Sequence, residues 1–261
     1  MNHKNCISYH LSLILLLGAL ILPSTPVYAG GIQEIKGGAP PPVKKIVALT
    51  FDDGPSTQYT PQILDILKEE NVKATFFVIG ENVDRHPEIV AREHAEGHAI
   101  GNHTWSHPFL SLVESRKQLT LEIARTDSAI YRAAGVHVSL FRPPHGWCPP
   151  WMVETVEDLG FDIINWTEDP NDWKHPAANI IVKRVESCLG LSAIVLLHDG
   201  LELKKDPKQE NTVQALRGII RDFRKDGYEF VTVTQLVHAP EFAEECPALY
   251  KVIKNPRVIH H

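Results

Sequence analysis

The sequence lacks the marks of several large protein classes. Of its 261 residues 22% are charged and 43% are hydrophobic, and the formal net charge is −6. Disorder is excluded, because disordered chains combine low hydrophobicity with high net charge. No long run of lysine or arginine supplies the positive surface that nucleic-acid binding needs. The composition therefore predicts a globular protein without a nucleic-acid partner, and it leaves the oligomeric state open.

Cysteine is scarce. None of the four cysteines lies in a C-x-x-C pattern, which excludes zinc ribbons and thioredoxin-like redox sites. One of them, Cys6, lies in an N-terminal segment that we expect to be removed. An oxidising compartment would permit one disulfide among Cys148, Cys188 and Cys246, and the sequence does not choose the pair.

Long apolar runs are missing beyond the N-terminus, so no later stretch predicts a membrane span. The apolar run from Leu11 to Leu22, with small residues at the cleavage offsets in Val27–Ala29, predicts a signal peptide at 1–29 that is cleaved after Ala29. An uncleaved N-terminal anchor is the alternative. We expect a secreted or periplasmic protein with a flexible leader at 30–42, a folded domain at 43–239 and a C-terminal extension at 240–261.

From Lys45 onward, short apolar runs alternate with stretches of helical periodicity, the longest at 115–134. Nearly continuous apolar strands separated by helices are typical of a parallel sheet that is buried on both faces. Seven strand–helix units predict an α/β fold in which a single barrel is built from about seven parallel strands. An open doubly wound sheet is the alternative.

Polar and aromatic side chains follow five of the predicted strands. In a parallel barrel the C-terminal ends of the strands lie on one rim, where functional residues gather. The five segments are Thr50–Ser56, Asn102–Pro108, Arg142–Trp147, Asp169–Trp173 and Leu196–Gly200. Their convergence on one rim predicts a functional site.

Two histidines in the second segment predict a metal site. His103 and His107 are four residues apart, so one helical turn would direct both imidazoles at one point. With an aspartate from the first segment they form a two-histidine, one-carboxylate set, which leaves a position open for water as in catalytic zinc sites. Surface histidines with this spacing are common, but this pair lies on the rim.

The adjacent carboxylates of Asp52 and Asp53 have two interpretations. They could form a turn that caps the next helix. On an extended segment, however, they would point in different directions, so that one binds a metal ion and the other faces the substrate. That arrangement suits metal-assisted hydrolysis, in which a carboxylate takes a proton from water.

The five segments closely resemble the motifs of the NodB-type polysaccharide deacetylases, carbohydrate esterase family four. The family patterns T-F-D-D-G-P, H-[ST]-x-x-H, R-x-P-x-G, D-x-x-D-W and L-x-H occur in family order between Ile46 and Leu236. The resemblance implies a distorted (β/α) barrel and a metal-dependent deacetylase. It also implies that Asp53, His103 and His107 hold a divalent ion, with zinc first and cobalt, nickel or iron as alternatives.

The resemblance assigns catalytic roles to four residues. Asp52 would be the general base, oriented by a bidentate contact from Arg142. His198 would be the general acid that protonates the departing amine. Asp172 would hydrogen-bond this imidazole and favour its protonated form.

The resemblance also implies a set of substrate contacts. Leu196 and Trp173 would line a small pocket for the acetyl methyl group. Trp147 would stack on a sugar ring or form a hydrophobic lid. A backbone N–H near Pro144 or His145 would stabilise an oxyanion. His145 stands where the family often has an aromatic residue, so its side chain could alter substrate preference or add a contact to the metal.

The resemblance implies a hydrolase of linear amides that removes acetyl groups from N-acetylglucosamine-containing polysaccharides such as peptidoglycan or chitin. Metal-bound water would attack the acetamido carbonyl and acetate would leave. An O-acetyl esterase acting on xylan and a catalytically inert carbohydrate-binding barrel are the alternatives.

Overall fold

The computed structural model of the chain describes residues 44–187, 189–190, 192–205 and 207–238. The predicted signal peptide (1–29), leader (30–42) and C-terminal extension (240–261) lie outside these residues, as do Cys6, Cys188 and Cys246. Within the described residues, the thiol of Cys148 has no disulfide partner. No helix in the described ranges is long and apolar enough to cross a membrane.

The described part of the chain contains one sheet of seven parallel strands, in the order β5-β4-β3-β2-β1-β6, with β7 beside β1. The strands are β1 (Ile46–Asp52), β2 (Thr75–Val78), β3 (Ala99–Asn102), β4 (Leu140–Phe141), β5 (Asp162–Ile163), β6 (Ala193–His198) and β7 (Glu229–Phe230). Every residue of β1, the central strand, is buried. The predicted parallel sheet is therefore confirmed.

The edges of this sheet approach each other. The backbone N–H of Leu196 in β6 donates to the carbonyl of Glu168, shortly after β5, over 2.9 Å. Glu168 and Val195 form an isolated parallel bridge. The sheet therefore curves toward a ring, which confirms the distorted barrel and not the open doubly wound alternative. The barrel is distorted at β7. This short strand pairs with Ile46 and Val47 at the start of β1, on the same edge of β1 where β2 pairs with Thr50–Asp52.

Helices surround the sheet. They are α1 (Thr60–Glu69), α2 (Gly80–Arg85), α3 (Pro87–Ala95), α4 (Arg116–Ala134), α5 (Pro150–Asp158), α6 (Ala178–Glu186), α7 (Glu210–Lys225) and α8 (Val233–His238). The short helices α2 and α8 are not predicted by the hydrophobic periodicity, since six residues show less than two turns of it. Helix α4 ends at Gly135, which adopts the left-handed conformation with φ 75°.

The alternation of side chains along β1 decides what enters the barrel. Ile46 and Ala48 belong to a core cluster formed by strand residues and α8, whereas Val47 and Leu49 pack in the cluster that includes the outer helices. Because successive strand residues point to opposite faces, Asp52 points the same way as Ile46 and Ala48. The last residue of β1 therefore directs its carboxylate to the mouth of the barrel.

Candidate active site

Asp52 lies in the barrel mouth against a buried arginine. Nη1 of Arg142 donates to Oδ1 of Asp52 over 2.7 Å and to Oγ1 of Thr50 over 2.8 Å. The guanidinium is fully buried, and its other nitrogens donate to the carbonyls of Ile164 and Asn165. The predicted bidentate contact is therefore wrong: only one nitrogen reaches Asp52, because backbone carbonyls occupy the others.

Asp53 turns its carboxylate toward the two histidines. It adopts a left-handed φ of 74°, and its Oδ2 accepts the backbone N–H of Glu202 over 2.9 Å. Its Oδ1 is buried without a hydrogen-bond partner in the described residues. This oxygen lies 3.2 Å from Nε2 of His107 and 3.5 Å from Nε2 of His103.

A loop, and not a helical turn, brings the two histidines together. Thr104 and His107 have φ angles of 67° and 52°, which a helix does not allow. Glu122 of α4 holds the loop: its Oε2 accepts the backbone N–H groups of Trp105 and Ser106 over 2.9 and 2.8 Å. The predicted convergence of the two imidazoles is confirmed, but a loop produces it and the predicted helical turn does not form.

The donor atoms of this cluster suit a divalent metal ion. The ligand atoms of Asp53, His103 and His107 lie within 4.8 Å of one another. Nδ1 of His103 lies 2.7 Å from the carbonyl of Arg142, which can only accept, so the proton sits on Nδ1 and the lone pair of Nε2 faces the cluster. Burial lowers the pKa of His103 to about 4, which keeps the ring neutral as a metal ligand requires. The residues present therefore fit the ion that the sequence predicts.

His198 is held by a buried carboxylate. Its Nδ1 and its backbone N–H each lie 2.8 Å from an oxygen of Asp172, which also accepts a hydrogen bond from Thr212. Burial alone would lower the pKa of His198, but the charge and hydrogen bond of Asp172 outweigh it and raise the pKa to about 10. The ring is therefore cationic at neutral pH. Asp52 and His198 are register partners on β1 and β6, so they stand side by side.

A cavity of about 360 Å³, the catalytic cavity, joins these groups. Of the predicted substrate contacts, His145, Trp173 and Leu196 line it. Pro144 is buried and Trp147 is half exposed, and neither belongs to the lining. Asp169, which opens the predicted rim segment Asp169–Trp173, also lines it. Four lining residues lie outside the predicted rim segments: Phe109, Trp166, Leu201 and Glu202.

His145 packs among aromatic rings. It adopts a left-handed φ of 60°, and its ring stacks on Phe109 with centroids 4.3 Å apart. Its other contact is edge-to-face with His107, at 4.8 Å between centroids. The side chain thus lies beside a candidate metal ligand, and together with Phe109 it forms an aromatic wall of the catalytic cavity.

A further buried aspartate, Asp199, supports the segment Thr50–Ser56. Asp199 is fully buried and accepts a hydrogen bond from Oγ1 of Thr60, which in turn accepts the backbone N–H of Ser56. A Cβ on Gly54 would overlap the Asp199 carboxylate, so only glycine fits there. Burial raises the pKa of Asp199 to about 7. Asp199 lies in the predicted rim segment Leu196–Gly200, but the sequence predicts no role for it, because its partner Thr60 is remote along the chain.

Comparison with known proteins gives consistent matches. A family model described as "Polysaccharide deacetylase" matches residues 39–164. The chain is 40% identical over 197 residues to a peptidoglycan-N-acetylglucosamine deacetylase of Bacillus cereus, covering 74% of this chain and 89% of that protein. It is also 40% identical to the peptidoglycan-N-acetylglucosamine deacetylase PgdA of Listeria monocytogenes, over 74% of this chain but only 39% of the relative.

The fold has a solved counterpart. The structure of the peptidoglycan deacetylase PdaC from Bacillus subtilis matches with a TM-score of 0.68 and 37% identity. The match covers 77% of this chain and 94% of that one. The chain thus spans about two fifths of the length of the Listeria relative but nearly all of this solved structure.

Proposed function

Because the chain belongs to the polysaccharide deacetylase family, we propose that it hydrolyses the acetamido groups of N-acetylglucosamine-containing glycans and releases acetate. The observation that carries this proposal is the meeting of a carboxylate, a cationic imidazole and a two-histidine, one-aspartate cluster in one cavity. Peptidoglycan is the glycan that the names of the relatives favour.

We propose zinc as the ion held by Asp53, His103 and His107, since two imidazoles and a carboxylate suit it. When bound, the ion would act as a Lewis acid toward the acetyl carbonyl and lower the pKa of the attacking water. Asp53 and the two histidines would present their free lone pairs to it.

Asp52 is the proposed general base. Arg142 holds its Oδ1, and its Oδ2 faces the histidine cluster, 3.7 Å from Nε2 of His103. An oxygen in that position can accept the proton of the attacking water. The fixed hydrogen bond from Arg142 keeps the carboxylate from rotating.

His198 is the proposed general acid. Its Nδ1 is occupied by Asp172, so Nε2 carries the proton that it can give to the nitrogen of the sugar. The raised pKa keeps that proton in place at neutral pH. An amine leaves poorly without protonation, so a strongly held acid beside Asp52 favours amide substrates.

Substitution of the two proton-transfer residues tests this proposal. We expect Asp52→Asn and His198→Ala to lower kcat by about 100-fold to 10,000-fold, since each removes one proton transfer. Asparagine still accepts the hydrogen bond of Arg142, so the variant should fold. Asp65→Asn makes the same change on an exposed side chain that pairs with Arg92, and it should leave kcat unchanged. Wild-type turnover in either catalytic variant would overturn the assignment.

A panel of glycans separates the alternatives. Acetate release is measured on N-acetylglucosamine oligomers, peptidoglycan and acetylxylan, with circular dichroism as the folding control. Release mainly from acetylxylan would favour an O-acetyl esterase. Stoichiometric metal without acetate release from any glycan would favour an inert binding barrel.

Export is part of the proposal. The N-terminal pattern at 1–29 supports secretion, which would bring the protein to extracellular or cell-envelope glycans. Detection of the protein, cleaved after Ala29, outside the cytoplasm of the producing cell would test it.

A further inference from the structure

A second cavity adjoins the catalytic cavity. It has a volume of about 280 Å³ and shares Asp53, Leu201 and Glu202 with it. Asn82 stands at the junction, since its Nδ2 donates to the carbonyl of Asp53 over 2.9 Å. We call this cavity the side groove; the lining residues used below are Asn82, Arg85, Lys204 and Lys205. A glycan in the catalytic cavity would reach the side groove by crossing the rim at Leu201 and Glu202.

The side groove carries positive charge in a chain whose net charge is −6. Lys204 and Lys205 are exposed, and no carboxylate of the described residues lies within ion-pair distance of either. Arg85 is held by Glu81 at 2.8 Å. Within the described ranges, both lysine side chains are therefore open to an anionic ligand.

Among the described lining residues, three cationic side chains (Arg85, Lys204 and Lys205) outnumber the two carboxylates (Asp53 and Glu202). Glu202 contributes an exposed carboxylate at the rim, and the carboxylate of Asp53 faces the histidines of the catalytic cavity. The groove thus attracts anions, and it does so next to the proposed site of acetyl removal.

We propose that the side groove binds a carboxylate of the glycan while the acetamido group lies in the catalytic cavity. This inference rests on the proposed function and narrows its substrate to acidic glycans. Peptidoglycan offers two sources of carboxylate: the lactyl group of muramic acid when no peptide is attached, and the acidic residues of the stem peptide. Neutral oligomers of N-acetylglucosamine offer none.

The expected effect is modest and depends on salt. Exposed charges attract weakly, so two lysines should improve kcat/KM for an acidic glycan about threefold to tenfold over a neutral one. The gain should lie in KM, because the groove is separate from the reacting atoms. It should shrink at high ionic strength, where solvent-exposed charges are screened.

The experiment compares kcat/KM for three substrates: a neutral N-acetylglucosamine oligomer, a soluble peptidoglycan fragment with its stem peptides, and the same fragment after an amidase has removed the peptides. The enzymes are the wild type and Lys204→Gln/Lys205→Gln. We expect the ratio of acidic to neutral kcat/KM to fall about threefold to tenfold in the variant. The acidic substrate for which it falls identifies the source of the carboxylate.

A matched control removes the same charge elsewhere. Lys117→Gln/Lys183→Gln changes two exposed lysines outside the groove lining and should keep the wild-type ratio. Acetate release with the same ratio in the groove variant and the wild type would overturn this inference and leave the proposed function standing. An equal fall of the ratio in both double variants would also overturn the inference, because the loss of two positive charges anywhere on the protein would then explain it. Acetate release from no glycan would overturn the proposed function and this inference together.

Discussion

Two histidines of the catalytic cavity differ in protonation because of what surrounds them. For His103, burial outweighs the nearby carboxylates of Asp52 and Asp53 and lowers the pKa to about 4. His198 is also buried, but Asp172 outweighs the burial and raises its pKa to about 10. When two groups of the same kind have pKa values that differ because of their surroundings, they are suited to different roles. One imidazole is suited to bind a cation, and the other to donate a proton.

We expect Asp172→Asn to move the alkaline limb of the pH profile of kcat/KM downward, from about 10 toward the ordinary histidine value of 6.5. Asparagine removes the charge that raises the pKa, so His198 loses its proton at lower pH. The measurement is the initial rate of acetate release from neutral to alkaline pH.

The pH dependence of the free energy of unfolding gives a second test of Asp172→Asn. Because the pKa of His198 is raised in the folded state, the ion pair with Asp172 contributes its full free energy of stabilisation below pH 6.5. This contribution is lost as the pH rises toward about 10. This alkaline loss should be smaller in Asp172→Asn, while the exposed Asp65→Asn should behave as the wild type. An unchanged alkaline limb would show that Asp172 does not set the protonation of His198.

At the scale of elements, the strands and the loops differ in how far the sequence predicts them. The apolar strands and the polar residues at their ends mark the rim, and strict alternation along β1 brings Asp52 into the barrel with Ile46 and Ala48. The loop after β3 is different. Its shape depends on Glu122, which is far from the loop along the chain, so the spacing of His103 and His107 suggested a helical turn that does not form.

Substitution of Glu122 tests whether this residue positions the loop after β3. We expect Glu122→Ala to weaken metal binding about 10-fold to 100-fold, because two backbone N–H groups lose their acceptor and the histidines lose their fixed orientation. Competition with a chromophoric chelator measures the affinity. Glu122→Gln retains an acceptor oxygen and should recover part of the loss.

The control for this variant is Glu114→Ala. It removes an exposed carboxylate that has no ion pair within the described ranges. Its metal affinity should equal that of the wild type. Equal affinity in Glu122→Ala and Glu114→Ala would show that α4 does not position the ligands.

At the scale of the whole molecule, the sequence predicts the number of strands and their common rim but not how the sheet curves. The bridge from Glu168 to Val195 and the placement of β7 beside the start of β1 join segments that are remote along the chain. Such long-range pairings leave no periodic pattern in the sequence from which they could be predicted. The same holds for Asp199, which follows β6 and contacts Thr60 at the start of α1 and Gly54 in the loop after β1.

Metal removal tests whether the cluster holds an ion that stabilises the folded protein. Asp53, His103 and His107 come from two loops, so an ion that they share links those loops in the folded state and binds the unfolded chain poorly. At a metal concentration 100-fold above Kd, binding adds about 2.7 kcal/mol to the free energy of unfolding, which is about 5 to 10 °C in Tm. A strong chelator should remove that gain, and added zinc should restore it. His107→Ala removes one ligand, so its Tm should respond less to chelator. A wild-type Tm that stays constant through chelation and zinc addition would mean that the cluster holds no ion in the folded protein.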